Sequence, residues 1–135
     1  MSLQLPTLEE MGRGDVFNST CPTRTVLDHV TGKWAVLVLV GLHAGPLRFS
    51  ALRRTVTGVS EKMLAQTLRV LEGDGFVHRE VAPTTPPQVT YSLTELGAGL
   101  TEHLGALLEW INTRIPEIEA ARDVRKPREA PGARD

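Results

Sequence analysis

Apolar and polar residues alternate along the middle of this chain in short blocks that glycine and proline separate. Cys21-Pro22 predicts the start of a helix, because proline fits the first helical position, and Gly32 predicts its end. The next block, Trp34–His43, is almost entirely apolar, which predicts a buried element. Its periodicity fits a helix and a strand equally, so the pattern leaves the type of this element open.

Two further helices are predicted on either side of a short turn. Ser50 is expected to cap the first, Ala51–Val56, and Ser60 to cap the second, which runs to Glu72. The turn between them, Thr57–Val59, contains a glycine. Two short helices joined in this way form a helix-turn-helix, whose second helix enters the major groove of DNA.

The pattern then changes to the period of two that is typical of strands. Phe76–Val81 and Gln88–Leu93 are the two predicted strands, and the proline-rich loop Ala82–Pro87 joins them. Thr94 is predicted to cap a long helix whose leucines form a stripe as far as Ile111. The resulting order of elements predicts an α+β, mostly helical fold, a winged helix-turn-helix.

The two ends of the chain differ in composition from this middle part. Residues 1–20 mix proline and glycine with scattered apolar residues, and we interpret them as an arm that contacts a dimer partner. Residues 116–135 hold three prolines among alternating Arg and Glu, which predicts a flexible tail. The domain itself is therefore expected to span residues 21–115.

Composition and charge narrow the class of protein. The chain has 135 residues, of which 41% are hydrophobic, and a net charge of -1, all ordinary for one globular domain. Between residues 22 and 93, eight basic residues outnumber five acidic ones, so positive charge is concentrated around the helix-turn-helix. No apolar run approaches the roughly 20 residues of a membrane span, and the residues at the start of the sequence lead us to expect no secretory signal. We therefore expect a cytoplasmic protein without a membrane partner.

The helix that begins at Ser60 has two different faces. Leu64, Leu68 and Leu71 recur at helical spacing and predict the side that faces the core. The residues that we predict to contact DNA are Ser60, Lys62, Gln66, Thr67 and Arg69 of this helix, together with Arg53 and Arg79. Arg and Lys donate to guanine or phosphate, and Gln pairs with adenine. An ordinary solvated face is the alternative, and the preceding turn and the following hairpin weigh against it.

Many short motifs of this chain occur in the same order in one group of bacterial regulators. They include Cys21-Pro22, Gly32-Lys33-Trp34, Ser60-Glu61-Lys62-Met63-Leu64, Asp74-Gly75, Tyr91-Ser92-Leu93-Thr94 and Trp110. In these motifs the chain resembles the HxlR-type regulators, which are relatives of the MarR group. The resemblance implies a winged-helix homodimer that binds a palindromic operator, and we expect a repressor. It also implies a helix for Trp34–His43.

The predicted wing departs from the pattern of this family. Family wings often end in a basic residue, whereas Gln88 follows Pro86-Pro87 here. Arg79, followed by Glu80, is the only basic residue of the hairpin. We therefore expect weak insertion into the minor groove and a phosphate contact by Arg79.

The leucine stripe of the last helix is longer than one small domain needs for its own core. Helix-turn-helix proteins commonly pair to match two half-sites about 34 Å apart on DNA. We therefore predict a homodimer with dimerisation helices at the N- and C-terminal ends. Leu5, Leu8 and Met11 of the arm are expected to complete its interface.

Cys21 is the only cysteine, so no internal disulfide is possible, and no cluster has metal-ligand spacing. No metal or cofactor is therefore predicted. The start of a helix favours a thiolate. In several members of the family that this chain resembles, the matching cysteine senses oxidants or electrophiles such as quinones, aldehydes or hypochlorite. The alternatives are that Cys21 caps the helix or fills space, and that a hydrophobic effector binds near Trp34 or Trp110.

Two other classes of protein fit this sequence less well than a DNA-binding regulator does. An enzyme would need more than Cys21 with His29, because no third orienting group or oxyanion hole is indicated. A winged helix that binds protein and not DNA is expected to expose apolar residues in place of Lys62, Gln66 and Arg69. The polar character of these three residues favours DNA.

Overall fold

The computed structural model describes residues 16–125. In this range the chain forms five helices and a three-stranded antiparallel sheet. In chain order the elements are α1 (Pro22–Val30), α2 (Lys33–Gly41), β1 (Leu47–Arg48), α3 (Phe49–Thr55), α4 (Glu61–Gly73), β2 (Val77–Ala82), β3 (Gln88–Leu93) and α5 (Glu95–Arg125). The predicted α+β, mostly helical winged helix-turn-helix is confirmed.

Helix α2 lies at the centre of the core. It occupies most of Trp34–His43, the segment whose periodicity fitted a helix and a strand equally. The helix that the family resemblance implied is therefore confirmed. Val38 and Leu39 are fully buried, and Trp34 is half-buried at its start. A helix that is apolar on all sides in this way is stable only when other elements surround it.

Helix α3 begins earlier than predicted. It starts at Phe49, directly after β1, with Arg48 at the N-cap, so Ser50 lies inside the helix and the prediction of a Ser50 cap is wrong. The physical reason is that β1 pairs with β3, with Leu47 opposite Tyr91, and the chain turns into the helix as soon as this pairing ends. That pairing connects residues far apart in sequence, which a local pattern does not reveal.

Helix α4 matches its prediction closely. The Ser60 hydroxyl accepts a hydrogen bond from the Met63 backbone N–H at 3.1 Å, which is the expected N-cap. Leu64, Leu68 and Leu71 are all buried, so the predicted core side is confirmed. The helix ends at Gly73, and Gly75 then takes a left-handed conformation, with φ +81, that turns the chain into the sheet.

The hairpin β2–β3 forms the wing. Six residue pairs join the two strands, from Val77 opposite Leu93 to Ala82 opposite Gln88, and β1 pairs with the other edge of β3. Strand β3 has the predicted bounds. Strand β2 begins one residue later than predicted, because Phe76 is buried and its N–H donates to the Leu71 carbonyl at the end of α4.

The start of α5 is fixed against the end of α4. The Thr94 hydroxyl accepts from the Gly97 N–H at 3.0 Å and donates to the Gly75 carbonyl at 2.5 Å, so the predicted Thr94 cap is confirmed. A Cβ atom at Gly97 would overlap the carbonyl oxygen of Phe76. Only glycine therefore allows α5 to approach the backbone of Phe76 this closely.

Helix α5 is much longer than predicted. It has 31 residues and continues through Pro116 to Arg125, so the prediction of a flexible tail is wrong for residues 116–125. Residues 126–135 lie outside the described range. Proline removes one helical hydrogen bond, but the segment that follows it is rich in Glu, Ala and Arg, which favour helix. Over residues 16–125, no helix combines the length and apolar character of a membrane-crossing segment.

Candidate nucleic-acid interface

Helix α4 exposes the polar side predicted for it. Lys62, Gln66 and Arg69 are all exposed, and their spacing places them together on the side opposite the buried leucines. Within residues 16–125, none of these three side chains has a hydrogen bond or ion pair. Their donors and acceptors are therefore open to a ligand from outside the chain.

The other residues predicted on α4 have different surroundings. Ser60 lies at the start of the helix, and its hydroxyl oxygen is engaged in the N-cap. Thr67 is half-buried and lines a groove between α4 and the start of α2, together with Gln66 and Trp34. Thr67 therefore lies on the flank of the polar side and not at its centre.

Arg53 connects the two helices of the helix-turn-helix. Its Nη1 lies 3.2 Å from Glu61 Oε1, and its Nε donates to the Val59 carbonyl at 3.4 Å. The ion pair is largely exposed and contributes little to stability by itself. Its geometry nevertheless holds the arginine beside the first turn of α4, on the flank away from Thr67.

Two arginines lie at the wing, and only one of them, Arg79, was predicted from the sequence to contact DNA. Arg79 is exposed on β2, opposite Tyr91 of β3. Arg48 received no role from sequence, yet its Nη2 donates to Gln88 Oε1 at 2.6 Å. The pairing of β1 with β3 brings this second guanidinium beside the end of the wing that carries the loop.

Lys33 is another basic residue that sequence reasoning left without a role. Its Nζ lies 4.3 Å from the centroid of the Trp34 ring, at the start of α2. Both residues line the same groove as Gln66 and Thr67. The sequence signal was the Gly32-Lys33-Trp34 motif, but a motif alone does not show that α2 begins beside α4.

The apolar stripe of α5 divides into a buried and an exposed part. Leu104 is buried, as are Gly97 and Thr101, in the first three turns. Beyond them Leu107, Trp110 and Ile115 are 51%, 54% and 38% exposed. The predicted contribution of Leu5, Leu8 and Met11 falls outside the described residues.

Cys21 is buried, with 5% of its surface exposed, at the N-cap of α1. Its N–H donates to the Asn18 carbonyl, and its own carbonyl accepts from the Thr25 N–H. The guanidinium of Arg24 donates to the Phe17 carbonyl at 3.0 Å. The predicted helix start at Cys21-Pro22 is therefore confirmed.

The far end of α4 is held by a different contact. His29 Nδ1 lies 2.6 Å from Asp74 Oδ2, which ties α1 to the residue that ends α4. Among residues 16–125, no group of three or more His, Cys, Asp or Glu side chains is placed to hold a metal ion. The contact is thus a link between two helices.

A helix-turn-helix with an open polar side on its second helix, followed by an antiparallel hairpin, defines a winged helix-turn-helix transcriptional regulator. The HxlR-like helix-turn-helix family matches residues 29–119. The chain belongs to this family.

Several named proteins are similar to this chain over most of their length. The HTH-type transcriptional regulator YtfH of Escherichia coli is 50% identical over 122 residues, which cover 90% of this chain and 97% of that protein. The solved structure of the regulator ytfH from Salmonella typhimurium has a TM-score of 0.77 and 51% identity, covering 82% of this chain and 98% of that one. The redox regulator HypR in its reduced form has a TM-score of 0.68 and 37% identity, covering 73% and 98%. HypR is also solved in an oxidised form.

Proposed function

We propose that this regulator acts in the cytoplasm as a homodimeric repressor that binds a palindromic operator, with α4 in the major groove. The observation that carries the proposal is the division of α4 between buried leucines and the open polar side of Lys62, Gln66 and Arg69. An ordinary solvated face is the weaker alternative. Ser60 and Arg53 both hold the start of α4 against the loop that joins it to α3, as a helix-turn-helix requires.

The same division argues against a winged helix that binds protein alone. A protein-binding surface is expected to expose apolar side chains at its centre. Met63 is 40% exposed, but it lies on the flank of α4 that faces α2 and not among Lys62, Gln66 and Arg69. Polar and basic residues at the centre of the surface suit base edges and phosphates.

The homodimer is proposed from the length and surface of α5. A helix of 31 residues is roughly 46 Å long, and its buried residues all lie in the first three turns. The exposed Leu107, Trp110 and Ile115 then continue at intervals that keep them near one side. A second copy of α5 would cover these residues and place two α4 helices on one duplex, as an operator with two half-sites requires.

DNA binding is tested with the full-length protein and a fragment from the promoter region of its own gene. Lys62→Ala should weaken binding to all duplexes and lower the salt slope by about one. Gln66→Ala should relax specificity at one base position, by about 1–3 kcal/mol. Arg122→Ala, an exposed arginine near the end of α5, is the control and should bind as the native protein does. Unchanged binding by both α4 variants would remove α4 from the interface.

We further propose that oxidation or alkylation of Cys21 releases the protein from DNA. The supporting observations are the burial of this thiol at the start of α1 and the similarity to HypR, which is solved in reduced and oxidised forms. Because Cys21 is buried, any group added to its sulfur must displace the atoms that pack around it. With one cysteine in the chain, a disulfide joins either two protomers or Cys21 and a small thiol.

The thiol proposal is tested by treating the DNA complex with diamide. Diamide takes up two electrons and two protons from two thiols as their sulfurs join. It is therefore added alone, when only a bridged dimer can form, and with glutathione, when Cys21 can also form a mixed disulfide. Electrophoresis without reductant detects the bridged dimer. The native protein should leave the DNA, and Cys21→Ser should stay bound. Equal release of both proteins would show that Cys21 does not mediate release, which would overturn the thiol proposal.

A further inference from the structure

A groove separates the start of α2 from α4. The first turn of α2 forms one wall with Gly32, Lys33 and Trp34, and α4 forms the other with Met63, Gln66 and Thr67. The groove therefore opens beside the polar side of α4. Any molecule that contacts Gln66 from this flank also meets the start of α2.

The ammonium group of Lys33 is held in place at the edge of this groove. Its Nζ lies 4.3 Å from the centroid of the Trp34 ring, a distance typical of a cation–π contact. In the range 16–125, Lys33 forms no ion pair with a carboxylate. The indole is itself fixed, because its outer edge packs beside Gly58 in the turn before α4. The Lys33 ammonium group is therefore placed at the edge of the groove, with no carboxylate of the described residues neutralising its charge.

The geometry of duplex DNA indicates what Lys33 would meet at this position. A helix with its side chains is about 10–12 Å across and fills a major groove that is about 12 Å wide. Elements that flank such a helix on both sides therefore lie beside the two sugar–phosphate chains. On one flank of α4, next to Glu61, the structure places Arg53. On the other flank, next to Thr67, it places Lys33.

We infer that Lys33, held by the Trp34 ring, donates to a phosphate oxygen of the DNA backbone on the flank of α4 opposite Arg53. This inference rests on the proposed function, since it takes α4 to lie in the major groove. Neither Lys33 nor Trp34 belongs to the helix-turn-helix itself. The contact adds a third element, α2, to the surface that positions the protein on DNA without specifying sequence.

Acidic groups near the groove limit the charge that Lys33 provides. Asp28 is exposed in the same groove, whereas Asp74 is paired with His29. Asp28 repels a phosphate at this site, so its removal should strengthen binding. This gives the inference a second variant with an effect of the opposite sign.

The test measures binding of the full-length protein to a random 30-bp duplex and to its own promoter fragment by fluorescence anisotropy. Salt is varied between 50 and 200 mM. Lys33→Ala should lower the slope of log K against log salt by about 0.9, the value for one phosphate, on both duplexes. Lys33→Arg should retain the slope, and Asp28→Asn should raise the affinity.

Arg122→Ala is the control. Arg122 is also an exposed cation, but it lies near the end of α5. Its loss should leave the slope unchanged, and an equal change in Arg122→Ala and Lys33→Ala would overturn the inference in favour of a general effect of charge. An unchanged slope for Lys33→Ala would also overturn it, with the proposed function intact if Lys62→Ala still lowers the slope. If Lys33→Ala, Lys62→Ala and Gln66→Ala all bind as the native protein does, both proposals fail.

Discussion

Helix α4 and helix α5 each bury one side in the same core and expose a second side that the core does not use. On α4 this second side holds Lys62, Gln66 and Arg69. On α5 it holds Leu107 and Trp110, which are large and apolar. Both helices satisfy the core with leucines at helical spacing, so burial alone does not tell them apart.

The difference lies in the partner that each exposed side suits. Open amide and basic groups suit base edges and phosphates, whereas exposed leucine and tryptophan gain free energy when another apolar surface removes them from water. The short α4 is thus suited to the nucleic acid, and the long α5 to a second copy of the chain. The proposed homodimer requires both surfaces, because a dimer sets the spacing between its two recognition helices.

The largest expected effect is at the junction that joins the two helices. Gly97→Ala would place a methyl group against the carbonyl of Phe76, and neither the backbone of α5 nor that of the turn after α4 has room to accept it. We expect a loss of about 3 kcal/mol or more in the free energy of unfolding. Thermal unfolding at equal protein concentration should show a fall in Tm of about 10 °C.

Gly99→Ala is the control for this change. It lies two residues further along the same helix, and a Cβ there would meet no atom within 4 Å. Alanine favours helix over glycine by about 1 kcal/mol, so this variant should be equal to the native protein or more stable. A similar loss of stability in both variants would mean that the contact with Phe76 does not fix the position of α5.

The next effect separates the roles of the two exposed sides. Trp110→Glu should leave the fold intact, because this side chain is exposed in the single chain, but a carboxylate in an apolar interface should dissociate the dimer. We expect a monomer in light scattering and at least about a 100-fold loss of operator affinity, since a single α4 loses the second half-site.

Ala120→Glu introduces the same charge at an exposed position of α5, on the side away from the apolar stripe. It should remain dimeric and keep the native affinity. If Trp110→Glu also remains a dimer, the exposed apolar side of α5 does not form the dimer interface, and another surface must join the two copies.

The features that sequence predicted are those set by neighbours along the chain. The Ser60 cap and the buried Leu64, Leu68 and Leu71 depend on spacings of three and four residues, which a pattern contains in full. Thr94 was predictable for the same reason. The extension of α5 past Pro116 was not, because the prediction gave weight to the proline and not to the helix-forming residues after it.

The features that sequence missed depend on contacts between distant segments. Arg48 meets Gln88 because β1 pairs with β3, and Lys33 lies beside Thr67 because α2 packs against α4. Neither contact produces a periodic pattern of residues from which it could be predicted. The candidate site is therefore predictable on α4 itself, and the residues around α4 become visible only in three dimensions.

The smallest expected effect compares two serines, one that caps a helix and one that was predicted to do so. Ser60→Ala removes the oxygen that accepts from the Met63 N–H, which should cost about 1 kcal/mol in the free energy of unfolding measured with urea. Ser50 is exposed inside α3 and has no hydrogen-bond partner for its hydroxyl among residues 16–125. Ser50→Ala should therefore be neutral or slightly stabilising, because alanine is the better helix former. Equal losses of unfolding free energy in the two variants would mean that Ser50 caps α3, which would then begin later, as its sequence predicts. A loss confined to Ser60→Ala would show that its own cap stabilises α4, the helix that carries Lys62 and Gln66.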